Sequence, residues 1–373
     1  MGASKVYFCD FRTSMTENLQ EKLTRLMEKA GMGEIDFDRK YVAIKIHFGE
    51  PGNLAFLRPN WAKTVVDFVK ARGGKPFLTD CNTLYVGGRK NALDHMDSAY
   101  LNGFSPFSTG CHVIIADGVK GTDEAYVPVE GGKYVKEAKI GRAIMDADIV
   151  ISLNHFKGHE ATGFGGALKN LGMGCGSRAG KMEMHSDGKP YVSAAKCVGC
   201  KLCTRVCAHS AISFDDANKA SIDHSRCVGC GRCLGACPRD AVRPGSDTTN
   251  DILNYKIAEY TKAVVDGRPH FHISLVRDVS PCCDCHSEND VPIVADVGMF
   301  ASFDPVALDQ ACADAVNAMP INPGSVLCDH DHHCGDPDSD HFRHSHPETN
   351  WEVGLDHAQY LGLGTREYEL VKL

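Results

Sequence analysis

Two cysteine runs constrain this chain more than any other feature. "CVGCKLCTRVC" sets Cys197, Cys200, Cys203 and Cys207 at the spacing C-x2-C-x2-C-x3-C, and "CVGCGRCLGACP" repeats it with Cys227, Cys230, Cys233 and Cys237. Three closely spaced thiolates wrap one cubane corner by corner, and the fourth cysteine of each run ligates the other cluster. The spacing predicts one [4Fe–4S] cluster on Cys197, Cys200, Cys203 and Cys237, and a second on Cys227, Cys230, Cys233 and Cys207. Structural zinc also uses paired C-x2-C elements, but it needs neither a third cysteine at x2 nor a crossing fourth. Pro238 follows the second run and Ala208 takes that place in the first, a change to a turn and not to the ligation.

Around this array, over roughly 189–246, cysteine, glycine and short polar turns replace every longer period. This stretch resembles bacterial two-cluster ferredoxins and reads as a small α+β insertion. The flanks, 1–188 and 247–373, read as one discontinuous α/β host domain. "KVYFCDF", "YVAIKIHF", "PFLTDC", "HVIIADG" and "ADIVISLNHF" are continuous apolar strands, with helical segments between them near 89–101 and 138–146. Such alternation predicts a mostly parallel sheet flanked by helices. Ser14 and Glu17 match a capping box before Leu19, Leu23, Leu26 and Met27, with Gly31 as the stop. Pro59 opens a second helix, which ends before Gly73 and Gly74. Past 247 a helix is expected over about 249–265, then strands "FHISLV" and "PIVADVGMF". A helix capped by Asp304, a last helix near 351–361 and a strand "YELVKL" close the chain.

A formal net charge of −8 leaves no basic balance to hold nucleic-acid phosphates. There is no run of 18 apolar residues, so no membrane span is expected. "MGASKVYFCDFR" has no signal h-region, and Val6 stands where a myristoylation motif needs Ser or Thr. A cytoplasmic protein is expected. In a reducing compartment 18 cysteines and 18 histidines point to metal ligation and not to disulfides.

"VAIKIHFGEPGN", "FLTDCNTLYVGGR", "HFKGHEATGFGGALKNLGMGCGSRAGK" and "CCDCHSENDVPIVADVGMFASFDPVALDQACAD" together resemble the domain of unknown function 362 family. Members of that family often carry a ferredoxin insertion at this place. The resemblance spans nearly the whole chain and implies association with iron–sulfur redox chemistry, without naming a substrate.

The residues supply candidates. Lys45 and His47 end one apolar strand, His155, Lys157 and His159 follow another, and Asp80, Asn82 and Thr83 follow a third. Ligands of open α/β sheets bind beyond the carboxyl ends of the strands, so these groups are expected to share a crevice. Backbone N–H groups of the glycine-rich turns, followed by Lys169 and Asn170 in a helix, suit an anionic substrate such as a carboxylate or phosphate. The candidate catalytic set is Lys45, His47, His155, Lys157, His159 and Lys169, with histidines moving protons and a lysine polarising a carbonyl. Neither "GFGGALK" nor "GMGCGSR" forms the G-x-G-x-x-G of a dinucleotide site.

"CCDCH", residues 282–286, falls outside the ferredoxin-like array. Cys283 and Cys285 are candidates for a third metal site, holding zinc or iron, for a redox-active thiol pair, or for plain packing. Cys175, Cys328, Cys334, His330, His332 and His333 are possible further ligands, whereas Cys9, Cys81, Cys111 and Cys312 read as small buried hydrophobes. The leading expectation is an iron–sulfur oxidoreductase acting on a small, anionic substrate. The alternatives are an electron carrier or assembly protein docking a redox partner, and a metal-dependent lyase or isomerase whose clusters are structural.

Overall fold

The computed structural model describes residues 2–85, 87–186, 188–245, 249–329 and 340–373. The apolar runs form eight strands of one sheet: β1 (Ser4–Cys9), β2 (Tyr41–Lys45), β3 (Lys75–Asp80), β4 (Val113–Ile115), β5 (Ile149–His155), β6 (His270–Val276), β7 (Gly298–Ser302) and β8 (Tyr368–Lys372). Their order is β8-β1-β7-β6-β5-β2-β3-β4. Only β7 runs against its neighbours, pairing antiparallel with β1 and β6, and the sheet is otherwise parallel.

Both faces are covered, which is why the central strands carry no polar alternation. On β5, Ile149, Ile151 and Leu153 face one core with α1 (Leu19–Lys29) and α2 (Pro59–Lys70), while Val150 faces a second core with Leu171 and Ile257. That second side is built by α4 (Ala167–Cys175), α6 (Asn250–Val265) and, towards β1, α7 (Pro305–Asn317). The helix α3 (Ala92–Leu101) follows β3, and α5 (Arg178–Ser186) follows α4. Trp61, Val65, Phe68 and Val69 of α2 are all buried, each contributing about 1.5–3 kcal/mol by leaving water.

Three local expectations change. Ser14 and Glu17 do not cap α1: they meet in an isolated antiparallel bridge, and Asn18 caps instead, its Oδ1 accepting from Gln20 and Glu21 while Glu21 accepts from the Asn18 N–H. Asparagine caps as well as serine, and it stands directly before the first helical residue. The segment near 138–146 is not one helix. Glu137–Gly141 is a strand paired with Glu124–Pro128, burying Ala138 and Ile140 at period two, and only Arg142–Met145 is helical. In "PIVADVGMF" the strand begins only at Gly298, and Val294 makes a lone bridge with Ile321.

The cysteine-rich stretch leaves and rejoins the host through a two-stranded stem, Pro190–Val192 against Val242–Pro244, with Pro190 opposite Pro244. A hairpin (Ile212–Phe214 with Ala220–Ile222) and two short helices fill it. Its apolar centre is continuous with the host: Leu84 and Met182 pack with Cys197, Cys203, Cys233, Leu234 and Val242. Arg178 of α5 reaches into the same seam, donating to the Lys90 carbonyl, and Lys90 pairs with Asp240. Among the described residues no helix is long and apolar enough to cross a membrane.

Candidate functional site

β2, β3 and β5 run parallel, so their last residues, Lys45, Asp80 and His155, arrive at one edge of the sheet. Beyond that edge lies a cavity of about 310 Å³. It brings together all six candidate catalytic residues, Lys45, His47, His155, Lys157, His159 and Lys169. Asp80, Thr83 and Asn170 line it as well. Asn82 does not: its amide donates to Asp117 (2.8 Å) and to the Gly118 carbonyl (2.9 Å) and serves the loop.

The six play different parts. Lys45, 1% exposed, lies 3.0 Å from Asp80 Oδ1 and donates to Asn170 Oδ1 at 2.7 Å. Burial pushes the Asp80 carboxyl up, but the Lys45 ammonium outweighs it and holds it well below the carboxylate range. Lys45 is thereby bound into a buried ion pair. His47 Nε2 stands 2.8 Å from Arg89 Nη1, a group that can only donate. Burial, reinforced by Arg89, depresses His47 well below its ordinary value and keeps the ring neutral. Both nitrogens of His155 face oxygens, Asp284 Oδ2 at 2.8 Å and the Arg277 carbonyl at 2.7 Å. His155 therefore anchors the cysteine loop to the end of β5.

His159 Nδ1 accepts from the Ala161 and Thr162 N–H groups (3.1 and 3.2 Å). Burial and then Lys169 lower its pKa. Lys157 is 4% exposed and makes no hydrogen bond or ion pair among the described residues. Its charge reaches Cys283 and Asp284 only at longer range, so its hydrogen-bonding capacity is left for an anion in the cavity.

α4 does not offer its N-terminus to a ligand. Asp309 of α7 already accepts from the Ala167 and Leu168 N–H groups, at 2.7 and 2.9 Å. The positive end of this helix is answered from inside the protein. The expected anion contact shifts from backbone amides to side-chain ammonium groups.

The "CCDCH" loop closes the opposite wall. Cys283 is fully buried, with Lys169 Nζ 3.1 Å from its sulfur, and Cys285 borders the cavity. Burial alone would raise the Cys283 thiol, but a hydrogen bond from Cys285 and the charges of Lys157 and Lys169 hold it well below the ordinary thiol range. Cys285 moves the other way, raised by its hydrogen bond to Cys283 and by burial. The two shifts are opposite, and Cys283 is the more acidic sulfur of the pair. Between them Asp284, 1% exposed, has one carboxylate oxygen on His155 and none of the described groups on Oδ1. Burial opposes its ionisation, yet His155 and Lys157 bring its pKa down to about 2.

Of the further ligands considered for Cys283 and Cys285, Cys175 is buried against Cys81, whose thiol donates to its carbonyl at 3.3 Å. Cys328 does not border the cavity, and Cys334, His330, His332 and His333 lie outside the described residues. One ligand cluster does form at the mouth, where donor atoms of Glu160, Cys285 and His286 lie within 4.8 Å of one another. His286 Nε2 already meets Glu160 Oε1 there at 2.9 Å. Cys9, Cys81, Cys111 and Cys312 are buried, as their apolar settings in sequence predict.

In the cysteine-rich stretch the sulfurs surround two separate small cavities. Cys197, Cys200, Cys203 and Cys237 line one, and Cys207, Cys227, Cys230 and Cys233 line the other. Backbone N–H groups of Ala220, Ala211 and Ala241 point at the sulfurs of Cys197, Cys207 and Cys237, at 3.4, 3.4 and 3.3 Å. This donor set, four thiols per cavity with amide hydrogen bonds, fits a cubane cluster.

Sequence reading missed Tyr85, Arg89, Asp284, Lys181 and His185 in the cavity wall. The Asp between Cys283 and Cys285 was the one visible signal, because a polar residue fixed between two candidate ligands has little freedom to point elsewhere. Tyr85 and His185 come together only in three dimensions, with Tyr85 Oη 2.8 Å from His185 Nε2.

A family model described as "Domain of unknown function (DUF362)" matches residues 42–314. A "Thylakoid-associated protein" of Synechocystis is 26% identical over 168 residues, 42% of this chain and 46% of that protein. The chain thus spans about half the length of that relative. A crystal structure of a Thermotoga maritima protein is similar at a TM-score of 0.36 and 14% identity, covering 72% of this chain and 51% of that one. The lactate racemase apoprotein of Thermoanaerobacterium thermosaccharolyticum is similar at 0.36 and 10% identity, covering 74% and 51%.

Proposed function

The chain belongs to the DUF362 family, whose description assigns no reaction, and from that premise we propose that it is an iron–sulfur oxidoreductase acting on a small anion in the host cavity. The observation that carries the reading is the partition of eight cysteines into two sets of four around two cavities, the same partition that the crossing spacing predicts. A [4Fe–4S] cluster, when bound, takes up and releases single electrons.

The route to the host cavity is short in residues. Leu84 lines that cavity and also packs with Cys197, Cys203 and Cys233. A substrate there would thus be separated from the sulfur shell by one shared layer of apolar side chains. Lys157 supplies a positive charge with unused hydrogen bonds for a carboxylate or phosphate, and Lys169 and Lys181 add to the field. His47 and His159, both kept neutral, are polar partners that do not compete for the anion. The Leu253 and Ile257 side of the wall excludes water and strengthens these charges.

Anaerobically reconstituted protein should hold about eight irons and show paramagnetic signals on reduction with dithionite. Clusters that dithionite cannot reduce would sink the electron-transfer reading. A thermal-shift series with small carboxylates and inorganic phosphate tests the anion site: stabilisation by one of them should vanish in Lys157→Met.

A further inference from the structure

Resting on that reading, we propose that Cys283 and Cys285 form a dithiol–disulfide couple that stands between the cysteine-rich module and the substrate cavity. The geometry is that of a preformed pair. The His286 N–H donates to the Cys283 carbonyl at 3.1 Å, closing a tight turn, and the Cys285 N–H points at the Cys283 sulfur at 3.4 Å. Cys283 is sealed from solvent while Cys285 opens on the cavity, so one sulfur is protected and its partner is reachable. Cys282, next in sequence, does not border the cavity.

The loop is held from several sides, which keeps the sulfurs in register. His155 grips Asp284, the Glu50 N–H donates to the Asp284 carbonyl at 3.0 Å, and the Gly158 N–H donates to the Ser280 carbonyl at 2.8 Å. Gly158 has to be glycine, since a Cβ would lie 2.8 Å from the carbonyl carbon of Pro281. The sulfur environment also argues for a couple and against a metal at Cys283. Lys169 already stands 3.1 Å from the sulfur as its counter-cation, and Lys157 adds a second positive charge. A divalent ion placed on that sulfur would have to displace or repel both ammonium groups. A thiolate flanked by fixed cations is instead the reactive form of cysteine. Asp284 Oδ1, buried and without a partner among the described groups, offers an acceptor beside the pair for a proton-bearing ligand.

The step balances. The Cys283 thiolate and the Cys285 thiol join in a disulfide, releasing one proton and two electrons to a two-electron acceptor in the cavity, which takes a second proton from solvent. The disulfide returns to thiolate and thiol on receiving one proton and two electrons, one from each four-cysteine cluster. Leu84 and Tyr85 occupy the wall between: Leu84 packs in one apolar cluster with the module's cysteines, and Tyr85 lines the same cavity as Cys285.

The test uses the reconstituted chain, first oxidised with one equivalent of diamide and then treated anaerobically with dithionite. Each state is denatured, alkylated with iodoacetamide and digested, and label is counted on the peptide bearing residues 282–286. The expected change on dithionite is two added labels, at Cys283 and Cys285, while Cys282 stays unchanged. Paramagnetic resonance on the same samples reports the clusters. Reducible clusters with an unchanged label count would overturn the couple and leave the electron-transfer reading standing. Thiols that cycle with dithiothreitol but not with dithionite would overturn their coupling to the clusters. Cys282→Ser should preserve the two-label change, and Cys283→Ser or Cys285→Ser should abolish it with the cluster signal intact.

Discussion

Lys45 looks like a catalyst in sequence and like a strut in the structure, and its removal distinguishes the two. The side chain is 1% exposed, with Asp80 Oδ1 at 3.0 Å and Asn170 Oδ1 at 2.7 Å. Lys45→Met keeps the volume and deletes the charge, leaving Asp80 buried without its main partner. His95 cannot take over, since its Nε2 is 3.9 Å away and burial holds its pKa down to about 3. Breaking a buried pair from one side costs about 3–5 kcal/mol. At roughly 1.3 °C per kcal/mol for a chain of this size, the melting point should fall by about 4–6 °C. Asp80→Asn alone strands Lys45 and should cost a similar amount. The double variant strands neither charge and should lose less than either single variant, giving a coupling of about 3 kcal/mol or more in a urea-denaturation cycle. A Lys45→Met protein within about 1 kcal/mol of wild type, or a double variant as unstable as the two single losses summed, would refute the reasoning.

Cys207→Ala should lower iron from about eight to about four. Adding Cys230→Ala should then cost little more and adding Cys200→Ala should empty the protein, because Cys207 and Cys230 share one cavity and Cys200 lines the other. Burial raises the Asp117 carboxyl to about 6, with Oδ2 unpartnered among the described groups. Its folded pKa lies above the unfolded value, so the native state loses stability as pH rises from about 4 to about 6, by up to ~3 kcal/mol. Asp117→Asn should therefore be more stable than wild type at pH 7, with the advantage gone near pH 4 in a thermal-melt series. At Gly172 in α4 an added Cβ would run into the Ile257 carbonyl of α6. Gly172→Ala should thus lose about 1–2 kcal/mol in urea denaturation, although alanine is the better helix former.

The sheet was legible because continuous apolar strands bounded by glycine and proline admit few other readings, and β5 is buried on both faces as "ADIVISLNHF" implies. The convergence of Lys45, His47, His155, Lys157 and His159 was legible from strand polarity alone. Their roles were not, since they depend on partners far away in sequence: Asn170 for Lys45, Arg89 for His47, and Asp284 for His155. The same holds for the end of α4, where Asp309, 142 residues beyond Ala167, takes the place assigned to a substrate. Local errors had local causes. Asn18 outcompeted Ser14 by position, and Gly141 broke a helix whose first half alternates with period two.

The stem of the cysteine-rich stretch brings Pro190 opposite Pro244, so the host meets the whole excursion at two adjacent points. In topology, cutting it out is a small operation, since a short turn could bridge the stem. In energy it is not, because Leu84 and Met182 would lose the apolar partners that cover them. Leu84 also lines the cavity at the strand ends, so a chain lacking the excursion would be left with a softened cavity wall. What looks like an accessory in the order of residues is a piece of the host's own architecture, and the two are expected to stand or fall together.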